Sequence, residues 1–221
     1  MKASVRATWL ALGAIALWAT LAPAGVRLSH LPPFLTAGCA LLVGSLVALP
    51  WSGFQWRLAV VPASTLALGI YGLFGYHFLL FVAFRTAPAV QANLVNYLWP
   101  LLIVVLAPLF NQNIHLKARQ VFAALAGFAG AALVMTGGKA ISADFEMGYL
   151  AALASAFIWA TYSLMTQRVK AFHTAAIGLF GLVSGVLSLI CHVALETPVT
   201  LNSQDLGLLL WMGLGPLGVA F

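Results

Sequence analysis

Residues 11–20 read ALGAIALWAT, and residues 152–161, which lie 141 positions later, read ALASAFIWAT. The same offset, with no gap, pairs Arg27 with Arg168. Matches of Leu and Gly are common in so apolar a chain, whereas a shared Trp-Ala-Thr and a shared Arg are not. We therefore predict an internal repeat, with a first repeat over residues 1–141 and a second over residues 142–221.

The composition around this repeat is that of a membrane protein. Of the 221 residues, 63% are hydrophobic and only 6% are charged, and the mean hydropathy is +1.04. A soluble domain carries about 25% charged residues, because its surface must face water. The composition therefore excludes a soluble enzyme, a secreted disulfide scaffold and a disordered chain, and it predicts a multi-span protein whose partner is the lipid bilayer.

Neither the charge nor the cysteines indicate another kind of partner. The net charge of +6 is spread thinly over the chain, so we predict no nucleic-acid surface. Cys39 and Cys191 each stand alone inside an apolar stretch, so neither a metal site nor a disulfide framework is predicted.

Eight apolar stretches have about the length that a helix needs to cross the hydrocarbon layer. The fold class that they predict is an all-α polytopic membrane protein. The stretches are Ala7 to Val26, Phe34 to Leu49, Val60 to Phe84, Ala89 to Phe110, Val121 to Gly137, Gly148 to Gln167, Ala175 to Leu195 and Leu206 to Phe221.

The basic residues predict a cytoplasmic N-terminus. When loops are assigned alternately to the two sides, seven of the ten Lys and Arg residues fall on the side of the N-terminus, and positively charged loops stay in the cytoplasm. The seven are Lys2, Arg6, Arg57, Lys117, Arg119, Arg168 and Lys170. The three basic residues on the opposite side are Arg27, Arg85 and Lys139. The four acids, Asp144, Glu146, Glu196 and Asp205, are then predicted to lie outside the cell.

The first repeat contains five spans, so equivalent helices in the two repeats would cross in opposite directions. Such inverted repeats are typical of transporters. Twice 141 residues is 282, which is 61 more than the chain has, so we expect about eight helices of a ten-helix fold, with a truncated second repeat. The alternative is a complete eight-helix protein whose last span is short.

Polar residues inside the fourth span form the richest candidate site. Asn93, Asn96, Tyr97 and Pro100 recur at a spacing that places them on one face of a helix. Polar groups in hydrocarbon usually face the bundle interior or a wet cavity. The alternative for the two Asn side chains is a tie between neighbouring helices, worth about 1 kcal/mol per bond.

Aromatic residues in three other spans extend this candidate site. Tyr76 and His77 follow glycines in the third span, and Trp18 and Trp159 lie mid-span at equivalent repeat positions. With Tyr97, Trp99 and Tyr162, they could line a cavity for flat or cationic ligands. A neutral, hydrogen-bonded His77 and plain packing of each aromatic ring remain alternatives.

At these residues the sequence resembles the EamA family of the drug/metabolite transporter superfamily. The run Val95 to Pro100, with Ala156 to Ala160, is similar to that of the YddG-type aromatic amino acid exporters. The resemblance implies ten helices in two inverted repeats, and a central cavity lined from helices one, three, four and six. The lining residues that it implies are Trp18, Tyr76, His77, Tyr97, Trp99 and Trp159.

We therefore expect a monomeric inner-membrane transporter, without a cofactor, that exports aromatic amino acids and related compounds by alternating access. The substrate-binding residues would be Trp18, Tyr76, His77, Asn93, Asn96, Tyr97, Trp99 and Trp159. The alternatives are a multidrug exporter of aromatic cations and a membrane scaffold that transports nothing. An intramembrane enzyme is not expected, because the spans hold no Ser-His pair, metal-ligating His pair or paired carboxylates.

Overall fold

The computed structural model describes residues 2–51, 55–138 and 146–220. Within those ranges the protein is helical and has no β-strand, which confirms the predicted all-α class. Lys139, Asp144 and Phe221 lie outside the described residues, and so does the predicted repeat boundary between residues 141 and 142.

The described segments form helices α1 to α11, a 3₁₀ turn and two π-helical turns. In chain order they are α1 (Lys2–Ala19), α2 (Leu21–Arg27), α3 (Pro33–Trp51), the 3₁₀ turn Trp56–Ala59, α4 (Ala63–Ile70), the π turn Tyr71–Gly75, α5 (Tyr76–Thr86), α6 (Ala89–Asn96), α7 (Trp99–Phe110), α8 (Ala118–Thr136), α9 (Met147–Thr166), α10 (Ala175–Leu195), α11 (Ser203–Leu214) and the π turn Gly215–Val219.

Six described segments are long and apolar enough to cross a membrane, namely Val5–Arg27, Ala63–Thr86, Ala89–Phe110, Ala118–Thr136, Met147–Thr166 and Ala175–Leu195. They coincide with six of the eight predicted spans. The other two predicted spans correspond to α3, whose apolar part Pro33–Val47 is shorter, and to α11 with its following π turn. The protein is thus a multi-pass membrane protein, while the eight-span count and the inverted repeat stay predictions.

By contact, the chain divides into two compact units. Unit 1 comprises Met1–Phe74 and Ala171–Phe221, and unit 2 comprises Gly75–Lys170. This division groups residues that touch one another, whereas the predicted repeats group residues of similar sequence. It therefore leaves the repeat boundary untested.

Unit 1 is built on close contacts of α3 with α10 and α11. A Cβ atom on Gly185 of α10 would lie 2.7 Å from Cγ of Leu42, and one on Gly213 of α11 would lie 2.8 Å from the carbonyl oxygen of Ala40. No side chain fits at either position without displacing its neighbour. Small residues replace large ones here because membrane helices gain stability by close van der Waals approach rather than by the hydrophobic effect.

A carboxylate joins helix ends at one edge of unit 1. Glu196, which follows α10, accepts hydrogen bonds from the backbone N–H groups of Phe34 (3.0 Å) and Leu35 (3.2 Å) at the start of α3. Its second oxygen also lies 2.8 Å from Nδ1 of His192. The first N–H groups of a helix lack partners within that helix, so Glu196 caps α3 from a distant part of the chain.

Unit 2 is organised around α9, which contacts α5, α6 and α7. At one end, a Cβ atom on Gly148 would lie 2.6 Å from Cβ of Ala87, in the turn between α5 and α6. At the other end, Arg168 Nε donates to the carbonyl oxygen of Phe110 (2.7 Å), the last residue of α7. These contacts fix α9 in register with the helices that hold the candidate site.

Candidate functional site

The predicted fourth span is interrupted in its middle. Helix α6 ends at Asn96 and α7 begins at Trp99, because Pro100 has no N–H to donate to the carbonyl of Asn96 one turn earlier. Leu98 instead donates to Val95 in a tighter turn (3.1 Å). The four polar positions therefore do not share one helix face as the spacing predicted. Asn96 is buried, whereas Tyr97 is 41% exposed.

A π-helical turn precedes the aromatic pair of the third span. The turn Tyr71–Gly75 ends where α5 begins at Tyr76. A wide turn of this kind changes which face the following side chains occupy, and such turns are frequent at functional sites. Tyr76 is 9% exposed and His77 only 1% exposed.

Three buried polar side chains from three helices form a hydrogen-bonded chain. Ser155 Oγ on α9 lies 2.9 Å from Asn96 Oδ1 on α6, to which it donates. Asn96 Nδ2 in turn donates to the Tyr76 hydroxyl on α5 at 3.3 Å. Each polar group that enters a buried apolar setting costs free energy unless it is paired. This chain pairs them across the three helices.

Aromatic rings cover the Tyr76 end of this chain. The ring centroids of Tyr76 and Trp159 are 4.8 Å apart, and those of Trp159 and Tyr162 are 5.4 Å apart. The His77 ring meets Tyr76 edge-on at 5.0 Å. We call Tyr76, His77, Asn96, Ser155, Trp159 and Tyr162 the aromatic cluster.

The aromatic cluster lies near the middle of the three apolar segments Ala63–Thr86, Ala89–Phe110 and Met147–Thr166. Tyr76 is ten residues before Thr86, and Ser155 is eight residues after Met147. At 1.5 Å per residue, Tyr76 lies about 15 Å from Thr86 along the helix axis, and Ser155 lies about 12 Å from Met147. Thr86 and Met147 are both at the end of unit 2 where Gly148 approaches Ala87. The hydrocarbon layer is about 30 Å thick, and the sites of secondary transporters lie near its midplane.

The structure brings together four of the eight predicted site residues, namely Tyr76, His77, Asn96 and Trp159. Asn93 and Trp99 are half-buried and Tyr97 is exposed, and these three lie outside the cluster as defined above. Trp18 belongs to unit 1, where its indole N–H donates to the carbonyl of Pro216 at 3.1 Å.

Sequence reasoning missed Ser155, and it gave Tyr162 only as an aromatic neighbour. The repeat pairs Ser155 with Ala14, so the comparison of repeats offered no polar partner there. A signal was nevertheless present, because a serine flanked by alanines in mid-span is a polar group that needs a partner.

A cavity lies within unit 1. Its volume is about 980 Å³, and its walls are mostly apolar. It is lined by side chains such as Trp9, Thr20, Ser45, His173 and Trp211. We favour the aromatic cluster as the candidate site, because its polar groups converge through hydrogen bonds and its rings pack against one another at tilted angles, whereas the unit 1 cavity is an open apolar space beside the exposed helix α1.

The chemistry of the aromatic cluster is that of binding. Among the described residues, no group of three His, Cys, Asp or Glu side chains could hold a metal ion. The cluster itself contains no carboxylate. Its side chains are two hydroxyl-bearing tyrosines, a serine, an amide, an imidazole and an indole, which are the hydrogen-bonding and aromatic groups that binding sites use.

Comparison with known proteins places this chain in a family. Residues 5–136 match the sequence profile described as the EamA-like transporter family. The chain belongs to the EamA-like transporter family. This membership confirms the resemblance seen in the sequence, and it indicates a transporter rather than an enzyme.

Relatives within the EamA-like family support the same placement. The chain is 36% identical to "Aromatic amino acid exporter YddG" of Ancylobacter novellus, over 97% of this chain and 77% of the relative. It is 28% identical to the protein of that name from Escherichia coli, over 74% of this chain and 59% of the relative. A solved structure described as "Crystal structure of protein" superposes with a TM-score of 0.81 at 35% identity, and covers 98% of this chain and 76% of its own.

Proposed function

We propose that this protein is a secondary transporter that exports aromatic amino acids and related small compounds by alternating access. The observation that supports this most directly is the buried chain from Ser155 through Asn96 to Tyr76, whose ring contacts that of Trp159. A mid-membrane site that combines ring faces with hydrogen-bonding groups suits a ligand with both an aromatic ring and polar groups.

The setting of the proposal follows from the sequence and from the relatives. We propose that the protein is a monomer in the inner membrane. The distribution of Lys and Arg supports a cytoplasmic N-terminus. The internal repeat at an offset of 141 residues supports alternating access, because two similar halves can exchange conformations around one site. The exporter names of the two relatives support the substrate class.

The same cluster makes aromatic cations a weaker second substrate class. Ring faces attract cations, but a desolvated cation is most stable beside a carboxylate. The acids of the described chain are Glu146, Glu196 and Asp205, and each stands at a helix end rather than in the cluster.

Uptake into proteoliposomes tests the proposal. The purified protein is reconstituted, and entry of labelled Phe, Tyr and Trp is compared with entry of alanine and of an aromatic phosphonium cation. We expect uptake of the aromatic amino acids above that of protein-free liposomes. Uptake of the cation alone would favour a multidrug exporter, and uptake of nothing would favour the scaffold alternative.

A pair of matched variants locates the site. Trp159→Leu removes the ring that contacts both Tyr76 and Tyr162, and we expect a rise in the KM for Phe of about two- to tenfold, since an aromatic contact is worth about 0.5–1.5 kcal/mol. Trp9→Leu makes the same change in the unit 1 cavity, where Trp9 is 70% exposed. A rise for Trp9→Leu alone would move the site to that cavity.

A further inference from the structure

Ser155 occupies the buried end of the hydrogen-bonded chain and has one hydrogen to share between two acceptors. Its side chain is 0% exposed. Its Oγ lies 2.9 Å from Asn96 Oδ1 and 2.8 Å from the carbonyl oxygen of Ala152 in its own helix. A serine in a helix can satisfy its hydroxyl on its own backbone, so Ser155 does not need the contact with Asn96 in order to be paired.

The orientation of the Asn96 amide determines whether the Tyr76 hydroxyl accepts a hydrogen bond from Asn96 or donates one to it. With Oδ1 toward Ser155, the amide nitrogen faces Tyr76 and donates to its hydroxyl oxygen. The reversed amide would donate to Ser155, and its oxygen would accept the hydrogen of Tyr76. The two orientations therefore differ in whether Tyr76 keeps its hydrogen for another acceptor.

In the orientation of the structure, the Tyr76 hydroxyl accepts from Asn96 and still has its own hydrogen to donate. Within the part of the chain that the structure describes, the Tyr76 hydroxyl accepts this one hydrogen bond and donates none. Tyr76 also lies against Trp159 at a ring distance of 4.8 Å. A donor beside a ring face matches a molecule that carries an acceptor, such as a carboxylate, next to an aromatic group.

We infer that Ser155 is a positioning residue, which holds the Asn96 amide so that Tyr76 donates its hydroxyl hydrogen to an acceptor group of the transported molecule. This inference rests on the proposed function, and it specifies that the aromatic cluster recognises a hydrogen-bond acceptor group of the substrate. Ser155 itself does not touch the substrate in this scheme, because it acts only through Asn96.

The first experiment measures initial transport rates in proteoliposomes for Phe and for phenylethylamine, which lacks the carboxylate. We expect Ser155→Ala to raise the KM for Phe about two- to tenfold, the range for one hydrogen bond, and to leave the maximal rate and the KM for phenylethylamine near the wild-type values. Ser155→Thr, which keeps a hydroxyl, and Ser155→Cys, which keeps the size, should give KM values between those of the wild type and Ser155→Ala.

Ser163→Ala is the matched control. Ser163 lies on the same helix, and its hydroxyl donates to the carbonyl of Trp159 in its own helix at 2.7 Å. The substitution Ser163→Ala removes a serine hydroxyl of α9 but leaves the hydrogen bonds from Ser155 through Asn96 to Tyr76 in place. We therefore expect this variant to have the wild-type KM for Phe. Equal effects of Ser163→Ala and Ser155→Ala would overturn the inference, because they would indicate a general effect on the helix.

A double-mutant cycle separates positioning from stability. If Ser155 acts through the Tyr76 hydroxyl, Ser155→Ala should not change the KM for Phe in the background of Tyr76→Phe. Additive effects of the two substitutions, or an unchanged KM for Ser155→Ala alone, would overturn the positioning role. A wild-type protein that transports no aromatic amino acid would instead refute the proposed function, so the two failures are distinguishable.

Discussion

The Asn96 amide nitrogen lies 3.3 Å from the Tyr76 hydroxyl oxygen and joins α6 to α5 at a point where both side chains are buried. The bond forms at the last residue of α6, where Pro100 prevents the helix from continuing. An interrupted helix and a polar contact thus meet at one residue. The two halves of the fourth span can therefore serve different purposes, with α6 holding the site and α7 running on toward Arg168.

Substitution of Asn96 tests whether this contact stabilises unit 2. Asn96→Ala removes both bonds of the amide, and we expect the free energy of unfolding in detergent to fall by about 1–2 kcal/mol, since each interhelical hydrogen bond in a membrane protein is worth about 0.6–1 kcal/mol. Denaturation followed by tryptophan fluorescence measures the change. Asn93→Ala is the matched control, because Asn93 is half-buried and outside the cluster. A loss as large for Asn93→Ala would contradict the distinction between the two residues.

Two glycines of α11 give opposite predictions. A Cβ atom on Gly213 would lie 2.5 Å from Cγ1 of Val43 and 2.8 Å from the Ala40 carbonyl oxygen, so we expect Gly213→Ala to destabilise the protein by about 1–3 kcal/mol through overpacking. No atom lies within 4 Å of a Cβ atom on Gly207, so Gly207→Ala should stabilise the helix by up to about 1 kcal/mol.

Thermal unfolding in detergent measures both glycine variants. A lower midpoint for Gly207→Ala than for Gly213→Ala would show that α3 and α11 are not in close contact.

Glu196 provides a test of the cap on α3. Glu196→Gln replaces a charged acceptor for two backbone N–H groups by a neutral amide, and charged hydrogen bonds are worth about 1.5–3 kcal/mol. We expect a loss of about 1–2 kcal/mol in unfolding free energy, which is near or below the lower end of that range because one oxygen acceptor remains. Glu146→Gln is the control, because Glu146 is exposed and makes no cap bond with its side chain. Equal stability of the two variants would refute the capping role.

The orientation in the membrane is tested by reporter fusions. Fusions at Lys117 and Lys170 should report the cytoplasm, and a fusion at Asp144 should report the outside, as the seven-to-three distribution of Lys and Arg predicts. The contact of Arg168 with Phe110 keeps two of these helix ends together. Fusions at Lys117 and Lys170 that report opposite sides would contradict both the structure and the prediction.

Sequence patterns predicted the position of most helices because apolar length is a local property. The predicted span Ala175 to Leu195 has the bounds of α10 itself, since polar Thr174 and Glu196 flank it. The breaks were harder to foresee. The break between α1 and α2 falls at Thr20, because Pro23 has no N–H to donate to the carbonyl of Ala19. The π turn Tyr71–Gly75 separates α4 from α5, and no proline stands in that turn.

The membership of the candidate site depended on contacts between helices, which sequence spacing does not reveal. Tyr97 and Asn96 are neighbours in sequence, yet one is exposed and the other buried, because the helix ends between them. Ser155 was absent from the prediction for the same reason, since its importance comes from a partner 59 residues away. The roles of all the site residues stay predictions until transport is measured.

The separation of 59 residues between Asn96 and Ser155 has a consequence for biosynthesis. At a translation rate of about 5–20 residues per second, Ser155 leaves the ribosome about 3–12 s after Asn96. Tyr76, by contrast, precedes Asn96 by 20 residues and is already made. When α6 enters the bilayer, the Asn96 amide can therefore bond to Tyr76 but not yet to Ser155. The later entry of α9 supplies Ser155 and completes the hydrogen-bonded chain.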